Sequence, residues 1–421
     1  MGRAVVLIAG KDPLEERGGH STYVRAHARA AMRAGFEPHL FCASRENGEV
    51  QTDYGVVHRV PSPQRFLRQQ PGSGFRTYTA VWNGPLITRA AVRFLASRPG
   101  PHLVHGFGVW SAAAVAIARR LQPRDVPAVA MVSAYTLLEH EARARFRGYR
   151  KVHGLGPRLS TAFELAWMRG LIYRRERWAY RRARLVAINY DSVRRLLETA
   201  CGAGIPFRRM AYASEAAFLH EGRNGPGIAP DAVAALAPAD APLIVSVSRH
   251  DPRKGVDVLL GTLARLRGAG VPFRACLVGG GRLLAAHREL ARRLGLAGSV
   301  TVTGIVPDPY AYLQCADVFV LPSLEEGSGS LSLLEALQAG VAVVASGVDG
   351  IPEDVTEGRS ALLVPPNDEE ALAGALRRLL GDVALRDRLA REARATFEAR
   401  FSAPAFSAGL AAVYAELGFT P

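Results

Sequence analysis

Two carboxylates flank a glycine-bearing turn in the segment from Glu325 to Ala336. The apolar run before this turn, which ends at Leu321, predicts a buried strand, and the leucines that follow at helical spacing predict a helix. The first N–H groups of such a helix, together with the positive end of its dipole, favour an anion such as a diphosphate. Glu326, before the turn, and Glu335, in the helix, can accept hydrogen bonds from hydroxyl groups. This spacing suits a nucleotide sugar, with its phosphates in the middle and a sugar or ribose at each end.

A cationic turn contains Arg249 and Lys254, between a predicted strand at 243–248 and a predicted helix at 256–266. Arginine can hold a phosphate with its planar fork, and lysine acts as a compact point charge. Fixed cations would stabilise a nucleoside diphosphate as it leaves, because its negative charge grows when the bond to the sugar breaks. We therefore predict that these two residues bind a diphosphate, with a solvated basic turn as the alternative.

Both segments resemble motifs of the retaining glycosyltransferases of family 4, which have the two-Rossmann-domain architecture called GT-B. In that family the first of two glutamates contacts the donor sugar and the second contacts the nucleotide ribose. The family usually has seven residues between the glutamates, whereas eight lie between Glu326 and Glu335, so that either Glu325 or Glu326 can be the sugar-contacting residue. The cationic turn is similar to the family's Gly-Arg…Lys-Gly motif, with Ser248 in place of the first glycine.

The resemblance implies a role for each residue of a larger set. It assigns catalysis to Arg249, Lys254 and Glu326. It assigns donor binding to glycine turns and to the helix start, namely Gly18, Gly19, Gly304, Ile305, Glu325, Gly327, Ser328, Gly329, Ser330, Leu331 and Glu335. Near the acceptor or the transferred sugar it places His20, His105, Tyr135 and His140.

Tyr135 is the main departure from the family pattern, because family members usually have a histidine at this position. A tyrosine can donate a hydrogen bond, but its pKa of about 10 means that it is not a base at neutral pH. Retaining transfer of this kind is thought not to need a conventional protein base. The departure therefore does not exclude activity, and it leaves open whether Tyr135 replaces the histidine functionally.

By resemblance, the chain is expected to be a hexosyltransferase-type enzyme that uses a nucleoside diphosphate sugar as co-substrate and needs no cofactor and no metal. The acceptor would be a hydroxyl of a glycan, of a lipid-linked molecule or of a small molecule. Two alternatives stay open: a GT-B nucleotide-sugar epimerase, and a non-catalytic basic surface-binding protein whose donor site has decayed.

The order of predicted elements favours two domains, as does the length of 421 residues. Strands alternate with helices in each half, which predicts an α/β fold of two Rossmann-like, doubly wound sheets that face each other across a cleft. We expect an acceptor-binding domain at 1–222, a linker at 223–240 and a nucleotide-sugar domain at 241–403. A helix at 404–418 is expected to pack back on the first domain. Ligands of such sheets bind at the carboxyl ends of the strands.

The net charge of +15 belongs to the first half of the chain. Residues 1–222 contain 34 lysines and arginines against 16 acidic residues, whereas the remainder contains 19 against 22. Arginines alternate with aromatic residues in 169–182, which indicates a solvated helix face with buried aromatics, a contact with anionic lipid headgroups, or a contact with an anionic acceptor. No nucleic-acid recognition motif accompanies this charge, so we expect no nucleic-acid partner.

The N-terminal ten residues contain a short apolar run that predicts a first strand and not a signal peptide. No stretch approaches the roughly 18 apolar residues of a membrane-spanning helix. The four cysteines lack metal-ligand spacing and are expected to be reduced. The expected location is the cytoplasm, with peripheral contact at the inner face of an anionic membrane.

Overall fold

Apolar strands and amphipathic helices alternate through both halves of the chain, as their sequence patterns predict. The structure, a computed structural model, describes residues 3–15, 18–62, 79–134, 166, 168–222, 230–236, 238–327 and 329–421. The described residues form two units. The first unit contains the described residues up to Phe218 together with Ala403–Pro421, and the second unit contains those of Leu219–Ser402.

The first unit is built on an eight-stranded sheet with the order β3-β4-β2-β1-β5-β6-β7-β8. Its strands are β1 (Ala4–Lys11), β2 (Glu37–Ser44), β3 (Gly48–Thr52), β4 (Gly55–Pro61), β5 (His102–Phe107), β6 (Ala128–Ala134), β7 (Leu185–Ile188) and β8 (Phe207–Arg209). All neighbouring strands are parallel except β3 and β4, which pair antiparallel at the edge. The short strands β3 and β8 were not among the predicted elements.

The helices of the first unit connect these strands. They are α1 (Gly19–Arg33), α2 (Thr79–Ala96), α3 (Ser111–Leu121), α4 (Tyr173–Tyr180), α5 (Asp191–Cys201) and α6 (Ala216–Leu219), which ends at the boundary with the second unit. A π-helical turn at Met168–Ile172 precedes α4. The segment 169–182, in which arginines alternate with aromatic residues, therefore forms this π-helical turn and α4, and α4 ends at Tyr180.

The second unit has a fully parallel six-stranded sheet with the order β11-β10-β9-β12-β13-β14. Its strands are β9 (Leu243–Val247), β10 (Arg274–Val278), β11 (Val300–Gly304), β12 (Val318–Leu321), β13 (Ala342–Ser346) and β14 (Leu362–Val364). Its helices are α7 (Asp231–Ala234), α8 (Val256–Gly268), α9 (Leu284–Arg293), α10 (Tyr310–Gln314), α11 (Leu331–Ala339), α12 (Ile351–Asp354), α13 (Glu369–Gly381) and α14 (Val383–Arg400). The short helix α7 lies in the stretch for which a linker was predicted.

Aspartates begin the last two helices of the second unit. The Asp368 carboxylate accepts a hydrogen bond from the Ala371 N–H at 2.9 Å, and the Asp382 carboxylate accepts one from the Leu385 N–H at 2.9 Å. Such caps satisfy N–H groups that a helix start leaves without intrahelical partners. Asp382 thus ends one helix and begins the next, which turns the chain between α13 and α14.

The final helix of the chain, α15 (Ala403–Glu416), packs on α1 in the first unit. The Phe406 ring lies 4.9 Å from the ring of His27, and the Tyr414 hydroxyl lies 3.1 Å from Nδ1 of His105. These aromatic contacts are buried, so α15 forms part of the interior of the first unit. The two sheets, parallel except for the β3–β4 pair, confirm together with their helices the predicted α/β class with two Rossmann-like domains.

Candidate functional site

The strand order of the second sheet reverses between β9 and β12. From β9 the chain proceeds to β10 and β11 on one side, and from β12 it proceeds to β13 and β14 on the other. The loops that follow the two strands therefore diverge and leave a crevice at their carboxyl ends, where ligands of open parallel sheets bind. The cationic turn follows β9, and the glutamate-containing loop follows β12.

Two structural features direct the cationic turn towards β12. The turn at Pro252–Lys254 is 3₁₀-helical, and the Asp251 carboxylate caps it by accepting a hydrogen bond from the Arg253 N–H at 3.0 Å. The next residue, Gly255, has φ of 59°, and a Cβ there would lie 2.0 Å from the carbonyl oxygen of Pro322. Only glycine permits this approach, which brings Lys254 to the end of the neighbouring strand.

Lys254 and Glu326 form an ion pair in the crevice. The Lys254 Nζ atom lies 2.6 Å from Oε1 of Glu326, and the two side chains are 14% and 1% exposed. The Ser323 hydroxyl donates a hydrogen bond to the same carboxylate oxygen. The structure therefore brings together two of the three predicted catalytic residues, and it directs the Glu326 side chain into the protein.

Glu325 and Arg249, the other charged residues predicted for the donor site, lie nearer to solvent. Glu325 is half-buried, and its N–H is 3.3 Å from the Arg253 carbonyl oxygen. The Arg249 side chain is 58% exposed, and its guanidinium lies 3.3 Å from Oδ2 of Asp251. This contact tethers Arg249 at the mouth of the turn and leaves most of its surface in solvent.

Asp349, which the sequence reasoning did not identify, holds the glutamate loop in place. It lies in the turn between β13 and α12, and its Oδ2 atom accepts hydrogen bonds from the N–H groups of Glu326 at 2.6 Å and Gly327 at 2.8 Å. Its φ is 48°, a left-handed conformation that is uncommon for a residue other than glycine. Gly327 was predicted to bind the sugar donor, but in this structure its N–H is hydrogen-bonded to Asp349.

The helix start follows directly after this clamped loop. The Ser330 hydroxyl caps α11 by accepting a hydrogen bond from the Leu333 N–H at 3.3 Å, and Gly329 before it has φ of 111°. The helix begins at Leu331, and Glu335 is half-buried within it. The first N–H groups of α11 form the anion-favouring end of this helix. Ser328 lies outside the described residues.

Glycine turns follow β10 and β11 on one side of the crevice. A Cβ at Gly279 would lie 1.9 Å from the Ser248 carbonyl oxygen, so the turn after β10 packs tightly against the turn after β9. Gly304 ends β11 with φ of 90°, and the Ile305 side chain after it is 82% exposed. Gly304 and Ile305, which were predicted to bind the sugar donor, therefore lie at the carboxyl end of the sheet. The apolar side chain of Ile305 is open to solvent.

A buried pair of histidines links the cationic turn to α9, with His250 in the turn and His287 in the helix. The Nδ1 atoms of His250 and His287 lie 2.8 Å apart, so one ring donates a hydrogen bond and the other accepts it. Burial, with the nearby His287 and Arg288, lowers the pKa of His250 to about 4. Burial also lowers the pKa of His287, although Asp257 opposes this effect. Both rings are therefore neutral at neutral pH.

In the first unit, Gly18 precedes α1 and Gly19 begins it, after the carboxyl end of β1. His20 is half-buried, and its Nε2 atom lies 3.0 Å from the carbonyl oxygen of Ala9. These three residues lie near the β1–β5 border, where the order of the first sheet also reverses. Tyr135 and His140 lie outside the described residues.

His105 occupies an interior position and not a surface one. The residue is fully buried, its Nδ1 atom lies 3.1 Å from the Tyr414 hydroxyl, and its Nε2 atom lies 2.8 Å from the Ser133 hydroxyl. Burial, with a smaller contribution from His27, holds its pKa well below the ordinary value. Both ring nitrogens are thus engaged with side chains of the first unit, and the apolar neighbours Leu103, Val104 and Phe107 in β5 are the sequence signal for this burial.

The described residues contain no group of three or more His, Cys, Asp or Glu side chains arranged to hold a metal ion. None of their helices combines the length and the apolar composition that crossing a bilayer requires.

Comparison with known families yields a match to each half of the chain. A model described as Glycosyltransferase Family 4 matches residues 17–211, and one described as Glycosyl transferases group 1 matches residues 241–382. The second match contains the cationic turn, the clamped loop and α11.

Similar curated proteins align over part of the chain. A lipopolysaccharide core biosynthesis glycosyltransferase of Rhizobium meliloti is 33% identical over 184 residues, which cover 44% of this chain and 53% of that protein. A GDP-mannose-dependent phosphatidylinositol monomannoside mannosyltransferase of Mycolicibacterium smegmatis is 36% identical over 151 residues, 34% of this chain and 40% of that protein. The aligned segments thus span about half or less of these relatives.

Solved structures align with nearly the whole chain. Sucrose-phosphate synthase from Thermosynechococcus elongatus gives a TM-score of 0.76 at 23% identity, with 99% of each chain covered. The Anabaena protein HepE in complex with UDP gives 0.66 at 17% identity, with 98% of this chain and 100% of that chain covered. At this level of identity the likeness shows the fold, which is the GT-B fold predicted from the sequence.

Proposed function

Because this chain belongs to the group 1, family 4 glycosyltransferases, we propose that it transfers a sugar from a nucleoside diphosphate sugar to an acceptor hydroxyl with retention of the anomeric configuration. The relatives are named as glycosyltransferases, and one structural neighbour was solved with UDP and with UDP-glucose. Since the named relatives are transferases, neither a nucleotide-sugar epimerase nor a non-catalytic surface-binding protein is favoured.

The observation that carries this proposal is the meeting of Lys254, Glu326 and the start of α11 where the sheet order reverses. A diphosphate placed there would receive N–H groups from the helix start and positive charge from Lys254 and Arg249. These groups stabilise the leaving nucleoside diphosphate more than the bound donor, because negative charge grows on it as the glycosidic bond breaks. Fixed cations and helix N–H groups supply this stabilisation in the proposed reaction without a metal ion or a cofactor.

Glu326 is the better candidate than Glu325 for the sugar-contacting carboxylate. Its carboxylate contacts Lys254 and Ser323 at the carboxyl ends of β9 and β12, and its N–H is held by Asp349. When the donor binds, Lys254 would exchange Glu326 for the diphosphate, and the carboxylate would accept a hydrogen bond from a sugar hydroxyl. Glu335, within the helix, would accept hydrogen bonds from the ribose.

We place the acceptor in the first unit and take it to be a hydroxyl of a glycan, a lipid-linked molecule or a small molecule. Two relatives are named for lipopolysaccharide core biosynthesis and for a phosphatidylinositol mannoside, which favours the lipid-linked class. An enzyme of this kind would work in the cytoplasm, at the inner face of the membrane that contains its acceptor.

The test is a thermal-shift screen of the chain against UDP, GDP, ADP and their common sugar derivatives. We expect one nucleotide family to raise the melting temperature, and we expect Glu335→Ala to abolish this rise. The matched control is Glu370→Ala, on the exposed side of α13, which should respond as the unaltered chain does. If no nucleotide stabilises the chain, or if both variants lose the response equally, the donor assignment is wrong. With a donor in hand, the anomeric configuration of the product by NMR tests retention.

A further inference from the structure

We propose that the outer face of α2, α3 and α4 in the first unit docks on the surface of an anionic lipid bilayer, with the Trp82 ring inserted among the headgroups. We call this surface the tryptophan face and define it by Trp82, Arg89 and Arg93 on α2, Arg120 on α3 and Arg175 on α4. The inference rests on exposure, shape and charge in the first unit and does not depend on the proposed transfer reaction.

The first observation is an exposed stripe along α2. Trp82 is 61% exposed, and Pro85, Arg89 and Arg93 follow it as exposed residues at intervals of three or four. This spacing places all four on one side of the helix. A solvent-facing tryptophan is costly to keep in water, and its ring, with an apolar body and a polar N–H, is suited to the boundary between water and lipid.

The second observation is a pocket lined by residues of α2, α3 and α4, among them Pro85 of the exposed stripe. Its apolar lining includes Val81, Val109, Ala116 and Ile172. The pocket is also lined by Arg120 and Arg175. The Arg175 guanidinium lies 3.4 Å from the carbonyl oxygen of Val81, which fixes one cation beside the first turn of α2. An apolar recess with a fixed guanidinium group suits an amphiphile that carries a negative charge at its polar end.

The third observation is the charge of the elements that form this face. From Thr79 to Arg124 the sequence has six arginines and no acidic residue. From Met168 to Arg184 it has seven arginines and one acidic residue, Glu176, which is buried. In the same segment Tyr180 is buried, so part of the aromatic content packs inward while Arg181 and Arg182 are exposed. These two segments, the first of which is followed by the exposed Asp125, therefore carry a large excess of positive charge.

These three features together favour an anionic bilayer over other anionic partners. Arginines can extend their guanidinium groups to phosphates while their stems lie on apolar surface, and a tryptophan anchors the same surface at the headgroup level. Binding of single-stranded nucleic acid uses several stacking aromatics along a groove, whereas the described part of this face exposes one. Anionic headgroups supply negative charge across the whole width of the face.

The experiment is co-sedimentation of the full chain with phosphatidylcholine vesicles that contain or lack phosphatidylglycerol. We expect binding only to the vesicles with phosphatidylglycerol, and weaker binding at higher ionic strength. The double variant Arg89→Glu/Arg93→Glu should lose binding by about tenfold or more. The matched control, Arg377→Glu/Arg391→Glu, makes the same change in net charge on exposed positions of α13 and α14 and should bind as the unaltered chain does.

Trp82→Phe tests the insertion itself. Vesicles with phosphatidylglycerol should shift the tryptophan emission of the unaltered chain to the blue, and this shift should be absent or much smaller in the variant. Circular dichroism confirms that each variant is folded, which is expected because every altered side chain is exposed. The proposal would be overturned if both double variants lost binding equally, or if the chain bound both vesicle types equally or neither of them. An unchanged blue shift in Trp82→Phe would overturn it as well. Binding to RNA in preference to the vesicles would assign the face to nucleic acid.

Discussion

The ion pair between Lys254 and Glu326 allows structural and functional roles to be separated in one double-mutant cycle. Lys254→Met keeps the apolar stem and removes the charge, and Glu326→Gln keeps the shape of the side chain and removes its charge. The Glu326 carboxylate is 1% exposed, so loss of its cation leaves a buried and poorly compensated charge. Removing one partner of a buried pair costs about 3–5 kcal/mol, and we expect Lys254→Met to lie near the lower figure because Lys254 is 14% exposed.

Glu326→Gln should cost less, about 1–2 kcal/mol, because the Lys254 ammonium can move towards solvent while the amide keeps its bond to Ser323. The double variant removes both charges at once and should be more stable than Lys254→Met, since no buried charge remains unpaired. The free energy of unfolding of the second unit, measured by urea titration for all four proteins, gives the coupling between the two residues.

Donor turnover is then measured on the same four proteins. Lys254 is proposed to bind the diphosphate and Glu326 the sugar, so both single variants and the double variant should lose kcat/KM by orders of magnitude. The double variant should therefore regain stability without regaining activity. If turnover returns together with stability, the pair supports the fold and does not act on the donor. If the stability effects are simply additive, the two side chains do not interact as the structure indicates.

Three further predictions concern the backbone and the buried rings around this pair. Asp349→Ala removes the acceptor of two N–H groups and should destabilise the second unit by about 2–3 kcal/mol in urea unfolding, whereas Asp349→Asn, which keeps an oxygen acceptor, should cost about half as much. Gly255→Ala places a Cβ 2.0 Å from a carbonyl oxygen at a φ of 59° and should cost about 3 kcal/mol, while Gly374→Ala, in open space, should be neutral or slightly stabilising in the same assay. His250 has its pKa lowered from 6.5 to about 4, so between these pH values the unfolded chain binds a proton that the folded chain does not, and stability should fall as the pH is lowered. His250→Leu/His287→Leu should reduce this slope in unfolding measured across pH, and an unchanged slope would contradict the role of the pair.

The local sequence predicted the sheets well because the signals for parallel strands are themselves local. Apolar runs such as Val5–Ile8 are fully buried, and the amphipathic segments between strands form helices. The short strands β3 and β8 escaped prediction because each has few residues and, in β8, two exposed arginines. Edge strands of this kind are specified by pairing with a neighbour and not by their own composition.

The sequence could predict the residues of the site only where a single segment contains the whole motif. It could not predict contacts between distant segments. The sequence identified Lys254 and Glu326 separately, but their contact depends on β9 and β12 becoming neighbours in the sheet. Asp349 gave no signal, since an aspartate before a glycine is an ordinary turn residue and its partners lie more than 20 residues away. His105 was expected near the acceptor or transferred sugar, but the structure buries it with Tyr414 from the far end of the chain. Contacts over such sequence distances require the fold.

The most direct test of the donor site is a crystal structure of the chain with the nucleoside diphosphate that gives the largest thermal shift. We expect the diphosphate within hydrogen-bonding distance of Lys254 Nζ and of the N–H groups that begin α11, and the ribose at Glu335. Lys254 should then have left Glu326, whose N–H remains bound to Asp349. A nucleotide bound away from the carboxyl ends of β9 and β12, or bound there with the Lys254–Glu326 pair unchanged, would contradict the proposed site.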